Sequence, residues 1–264
     1  MAKTTRRKFI LTTFSIIGIG AIIAWIAKNS ILRWFIRRID NKGLVMSLAP
    51  KMNDEICVLT SSQTEGPFFI SSPIRANVIE DRKGKQMNLK MQIVRFPDCT
   101  PIEGAIAEIW HCDAEGVYSG YPEDISHDPW KAMQVAGTGE ANVKPLTKAR
   151  FLRGAQQANA EGIVEFNTIF PGWYDGRAPH IHFKILVDKK EQLTSQFYFE
   201  PKLCDEIYLN IEPYNKYGSS PYTPQNDIVI NQDINAVDGL LLNPPLHKDL
   251  PVNTSIKVGV NKIS

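Results

Sequence analysis

From about residue 53 onward the chain is cut into short runs of β-branched and aromatic residues by Gly, Pro, Asn and Asp, a pattern that suits strands joined by turns and little else. The best strand candidates are Leu89 to Phe96, Ala105 to Cys112, Gly162 to Ile169, His180 to Val187, Gln196 to Glu200 and Ser255 to Val260. Ala160-Glu161-Gly162 predicts a hairpin turn joining Phe151-Leu152-Arg153 to Ile163-Val164-Glu165-Phe166. Ser119 to Lys148 is polar and has no period, as expected of a functional or disordered loop. A chain of 264 residues can bury one large core. The expectation is therefore an all-β domain over residues 44–264, a β-sandwich with long loops gathered at one end.

Residues 1–43 read differently. A basic cluster, Arg6-Arg7-Lys8, precedes nineteen uncharged residues from Phe9 to Ala27, which predicts an N-terminal membrane-targeting helix outside the fold. Thr5-Arg6-Arg7-Lys8-Phe9-Ile10-Leu11 resembles a twin-arginine export signal, so the domain is expected outside the cytoplasm. No well-spaced small-x-small cleavage site follows, which leaves an uncleaved inner-membrane anchor open. Lys28 to Arg38 mixes apolar and basic residues as an interfacial helix does.

This leader carries nine Lys and Arg against Asp40, a charge of +8, which leaves −6 for the rest of a chain whose total is +2. A mildly acidic domain argues against nucleic acid as a partner. The four cysteines, Cys57, Cys99, Cys112 and Cys204, have no metal-knuckle spacing and read as disulfides or buried thiols in any of three pairings.

The chemistry concentrates in FPGWYDGRAPHIHFKI, Phe170 to Ile185, which holds two of the chain's five histidines. On a strand, His180 and His182 share one face while Ile181 takes the other, so both imidazoles can converge on one ion. Iron, copper, zinc and nickel all accept such a pair. Tyr174 stands six residues before His180, within reach of the same ion, and Arg177 could stabilise a developing anion. No carboxylate stands at ligand spacing. Tyr118 follows a strand and a DAEG turn; by itself it reads as a half-buried aromatic. His111, His127, His247 and Trp110 read as ordinary packing or loop residues, Trp173 as packing or a pocket wall, and the Tyr208, Tyr214, Tyr217, Tyr222 segment as a surface excursion.

Taken together, TEGPFF (Thr64 to Phe69), GAIAEIWHCDAEGVYSG (Gly104 to Gly120), FNTIFPGWY (Phe166 to Tyr174), GRAPHIHFKI (Gly176 to Ile185) and QFYFE (Gln196 to Glu200) resemble the intradiol ring-cleavage dioxygenases, the group of protocatechuate 3,4-dioxygenase and catechol 1,2-dioxygenase. The resemblance implies one Fe(III) per chain held by Tyr118, Tyr174, His180 and His182. Phenolates are hard anionic donors that favour ferric iron. It further implies that a small aromatic diol is cleaved by O2 between its hydroxylated carbons to a cis,cis-muconate-type dicarboxylate. In that scheme Tyr174 doubles as a proton acceptor, Arg177 stabilises the carbanion-like ring, Gln196 orients substrate or O2, and Gly66 and Pro67 border the substrate ring. Only five residues separate Tyr174 from His180, shorter than in the familiar catabolic enzymes, which opens the mouth of the site. Residues 28–60 are too short for a helical dimerisation domain, although a homo-oligomer stays open. The competing expectations are a metal-free β-sandwich binding module that has lost the chemistry, and a zinc hydrolase that leaves both tyrosines unexplained.

Overall fold

The computed structural model describes residues 58–122, 126–127, 142–230 and 239–261. The leader, the 43/44 boundary, Cys57 and the middle of the long polar segment lie outside the described residues. Nine strands and one α-helix are described: β1 Gln86–Phe96, β2 Thr100–Pro101, β3 Ile106–Trp110, β4 Arg153–Gln157, β5 Ile163–Ile169, β6 His180–Val187, β7 Lys190–Phe199, α1 Pro201–Asn210, β8 Leu241–Leu242 and β9 Val252–Asn261.

Two sheets result. In the first, β1 is flanked by antiparallel β2 and β5 on one side and by parallel β9 on the other. The second runs β4-β3-β6-β7-β8. Alternation along β1 buries Met87, Leu89, Met91 and Ile93 and exposes Gln86, Asn88 and Lys90, so its sheet has one wet face. β6 is buried on both faces. Ile181, Phe183 and Ile185 enter the shared core, with Phe183 stacked on Phe197 of β7 at 4.2 Å between ring centroids. Its other face carries His180, His182 and Lys184, buried beneath loops. A polar strand face covered by chain rather than water requires partners for every polar group, and that is where the site lies.

Several expectations change. The turn at residues 159–163 is present, with the Gly162 N–H donating to Asn159 O at 2.9 Å, but β4 and β5 pair with different sheets and do not form a hairpin. β7 begins six residues earlier than expected. Helix α1 was not anticipated; Pro201 starts it and Leu203, Cys204, Ile207 and Tyr208 form its buried stripe. Tyr208 and Tyr214, placed on a surface excursion, are buried and donate to Pro171 O at 2.9 Å and Phe170 O at 2.6 Å. Cys99 is disulfide-bonded, and Cys112 and Cys204 are free and buried.

Gly172 ties the turn after β5 to the turn after β3. Its N–H donates to Asp113 O at 2.9 Å, and a Cβ there would stand 2.6 Å from both Asp113 O and Ala114 O. Backbone cannot move aside as a flexible side chain can. Gly172→Ala is expected to lower stability by about 1–3 kcal/mol in a denaturant titration; an unchanged midpoint would show that the two turns are not locked together.

Candidate metal centre

The buried face of the second sheet is organised by register. Arg153 on β4, Trp110 on β3, His182 on β6 and Gln196 on β7 occupy one row across four strands, and Tyr198 pairs with His180 in the next. The row lies at the end where β3 and β7 finish and β6 begins, and two turns deliver the tyrosines there. After β3, Asp113 Oδ1 accepts the N–H groups of Glu115 and Val117, each at 3.0 Å, so the DAEG turn closes on itself and presents Tyr118. After β5, Phe170 and Pro171 are held by Tyr214 and Tyr208, and Tyr174 follows.

Four donor atoms meet there. Tyr118 Oη lies 3.4 Å from Tyr174 Oη and 3.2 Å from His180 Nε2, Tyr174 Oη lies 3.2 Å from His180 Nε2, and the two imidazole Nε2 atoms are 3.1 Å apart. Oxygen and nitrogen donors each about 2.0–2.1 Å from one transition-metal ion stand roughly 3 Å or slightly more from one another. The residues therefore fit an ion. His180 Nδ1 donates to Ala178 O at 2.6 Å, which leaves its Nε2 lone pair aimed at the other donors. His182 is stacked flat on Trp110, 4.9 Å between centroids and 7° between planes. Gly66 also approaches the ring; its φ of +73° suits glycine and an added Cβ would lie 3.3 Å from His182 Cε1. Among the described residues no group of three His, Cys, Asp or Glu could hold a metal, so a metal here must draw on the phenols.

Burial sets the protonation states. It lowers both imidazoles well below their ordinary value, reinforced by Arg177 at His180 and by His180 and Arg177 at His182, so both stay neutral. Burial, with Tyr174 nearby, raises the Tyr118 phenol well above its usual range; burial pushes Tyr174 up to about 12 against the pull of Arg177. Phenols this reluctant to ionise become phenolates only where a cation compensates, and a bound metal does so.

Arg177 is 4% exposed. Its Nε donates to Asp227 at 3.0 Å and its Nη2 to Gln196 Oε1 at 2.5 Å, while Gln196 Nε2 donates to Thr64 O at 2.9 Å. Burial pulls the guanidinium's pKa down, but the Asp227 carboxylate more than reverses this and Arg177 stays charged. Asp227, absent from the sequence reading, also accepts the N–H groups of Ala178 and Val229, each at 2.7 Å. Nothing in Pro224-Gln225-Asn226-Asp227 distinguishes it from other loop acids. Trp110, read as core, is buried in a hydrophobic cluster and also stacks under His182. Tyr118, expected alone to be half-buried, is 0% exposed. Trp173 packs, donating to Gly218 O at 3.1 Å. Pro67 lies on the strap that carries Gly66, its carbonyl accepting from Val143 N at 2.8 Å. His111 is a satisfied core histidine bonded to Thr168 at 2.7 Å, His127 a half-buried loop residue, and His247 exposed.

A β-sandwich with two tyrosines and two histidines converging on one point defines a class of candidate non-haem metal proteins. A family profile described as Dioxygenase matches residues 65–213. The structure of an intradiol ring-cleavage dioxygenase from Tetranychus urticae is similar with a TM-score of 0.66 and 31% identity, over 78% of this chain and 95% of that one. A catechol 1,2-dioxygenase from Acinetobacter lwoffii is 30% identical over 176 residues, 56% of this chain and 49% of that protein. The 3-chlorocatechol 1,2-dioxygenase structure from Rhodococcus opacus shares the fold, with a TM-score of 0.55 and 17% identity over 98% of this chain and 100% of that one. The chain spans about half the length of the curated relatives it matches. It belongs to the intradiol ring-cleavage dioxygenase family.

Proposed function

We propose that the chain is a non-haem Fe(III) intradiol dioxygenase that opens a catechol-type ring between its two hydroxylated carbons, incorporating both atoms of O2, to give a cis,cis-muconate-type dicarboxylate. The observation that carries this is the meeting of two phenol oxygens and the His180 Nε2 within 3.2–3.4 Å of one another, with the His182 Nε2 3.1 Å from that of His180. Tyr118, Tyr174, His180 and His182 would hold the iron, which when bound supplies Lewis acidity and an electron acceptor to a bound catecholate.

The remaining chemistry belongs to the chain. Tyr174 receives the proton of one catechol hydroxyl at its phenolate oxygen. Arg177, held rigid by Asp227 and Gln196, places a fixed cation where negative charge develops on the ring. Gln196 orients substrate or O2 while Thr64 O fixes its amide. Gly66 and Pro67 border the ring, and Phe68, stacked on Tyr118 at 4.7 Å, helps to exclude water. Residues 1–43 are proposed to export the domain and anchor it outside the cytoplasm; the support is the Arg6-Arg7 pair before the apolar run.

The test is a visible spectrum of the iron-loaded protein before and after anaerobic addition of catechol. A red-brown charge-transfer band that moves to longer wavelength is expected. A chain that stays colourless after reconstitution leaves the metal-free binding module.

A further inference from the structure

Lys184 shares the buried face of β6 with His180 and His182, and its side chain is 9% exposed. No step under Proposed function uses it. Its ammonium donates to Glu65 Oε1, stands 3.1 Å from Glu191 Oε2 and lies 4.0 Å over the centroid of the Phe69 ring. Glu108, its neighbour across β3, is buried too, and its Oε1 accepts the Ser72 N–H. Of these three acids Glu108 and Glu191 belong to the sheet, whereas Glu65 belongs to the strap that carries Gly66 and Pro67.

Residues 61–69 of that strap are neither helix nor strand. Its flanks are tied down: Gln63 N–H donates to Thr194 O at 2.8 Å, Gln196 Nε2 donates to Thr64 O at 2.9 Å, and the forked Arg153 guanidinium donates to Phe68 O at 2.8 Å and Ser119 Oγ at 2.7 Å. The Gly66 N–H only turns back to Thr64 Oγ1 at 3.2 Å, so the centre of the strap depends on the Glu65 side chain and on the Pro67 carbonyl. Glu65 Oε2 accepts from Asn142 Nδ2 at 3.0 Å, next to Val143, which holds Pro67 O. Lys184 therefore grips the strap twice, at Glu65 and at Phe69, whose ring meets Trp110 edge-on at 4.9 Å. A segment without a backbone ladder keeps one conformation only where side chains hold it, and any freedom left over is lost when a ligand binds against it, at a cost in affinity.

We propose that Lys184 and Glu65 are positioning residues for substrate binding, their ion pair holding the Gly66-Pro67 turn preformed where the ring of the diol lies against it. This rests on the iron and substrate reading under Proposed function. It assigns neither side chain a contact with substrate or metal.

The test uses the full chain loaded with Fe(III) and titrated anaerobically with catechol, the shift of the visible band giving Kd, with iron counted per chain. In E65Q, and in K184M, which keeps the stem and removes the charge, Kd is expected to rise about tenfold while iron content stays at the wild-type level. KM should rise in parallel and kcat stay within about twofold. K184R keeps the charge and is expected to recover most of the affinity. Because both changes break one link, E65Q/K184M should bind no more weakly than the weaker single variant. An unchanged Kd in both single variants overturns the inference. So do additive losses in the double variant, a K184R as weak as K184M, or iron lost in step with affinity, since each would mean general disturbance. If K184M fails to fold, E65Q decides: a raised Kd with full iron supports the inference and an unchanged Kd overturns it. Wild type that takes up no iron, or whose band catechol leaves unmoved, overturns the reading under Proposed function and this inference with it. Loaded, responsive wild type with indifferent variants overturns this inference alone.

Discussion

His182→Ala is expected to bind Fe(III) at least roughly a hundredfold more weakly than wild type, since even outer-shell partners of metal ligands are worth ten- to a hundredfold. The side chain removed is stacked on Trp110 with Gly66 close by, and its Nε2 is one of four converging donors. The vacated space adds a packing loss, so a cleaner companion is Tyr118→Phe, which deletes a single oxygen and keeps the ring stacked on Phe68. Both should emerge from gel filtration with little iron, while His247→Ala, altered at an exposed histidine, should keep the wild-type amount. Full iron content in both site variants would remove these residues from the ligand set.

Arg177→Ala should separate chemistry from binding of the metal. Iron content and the visible band are expected to persist, because the guanidinium bonds to Asp227 and Gln196 rather than to the four donors. Turnover of catechol should fall roughly a hundred- to a thousandfold, the usual cost of losing one preorganised electrostatic stabiliser. The variant should still fold, since Asp227 keeps backbone N–H donors from Ala178, Val229 and Ile230. Asp227→Asn acts from the other side and leaves a buried cation without its anion, at a cost of about 3–5 kcal/mol. A fall in melting temperature together with a loss of turnover is expected there. Near-normal kcat in Arg177→Ala would dismiss the electrostatic role.

His180 and His182 were legible because a strand repeats every two residues, and that period alone puts both imidazoles on one face. Tyr118 and Tyr174 gained meaning only beside their neighbours; separately each looks like any buried aromatic. Three features were hidden for a common reason. The Asp227 partnership spans fifty residues, the Arg153 fork reaches back to Ser119 and Phe68, and the stacking of Trp110 on His182 depends on which strands lie adjacent. No local pattern encodes such contacts. Helix α1 escaped because ten residues between two β segments carry too few turns to declare a 3.6-residue period.

Strand β1 owes one whole edge to β9, its parallel partner from Met87↔Val252 through Phe96↔Asn261, and Thr60 reaches the same strand through Gly259. A chain emerging from the ribosome therefore completes almost every other element before this edge can close. Until β9 is made, the nascent domain holds a hydrophobic strand with one open edge, a state that invites mispairing. The last described strand thus closes a sheet that one of the first begins, so the fold is sealed by a contact between its two sequence extremes.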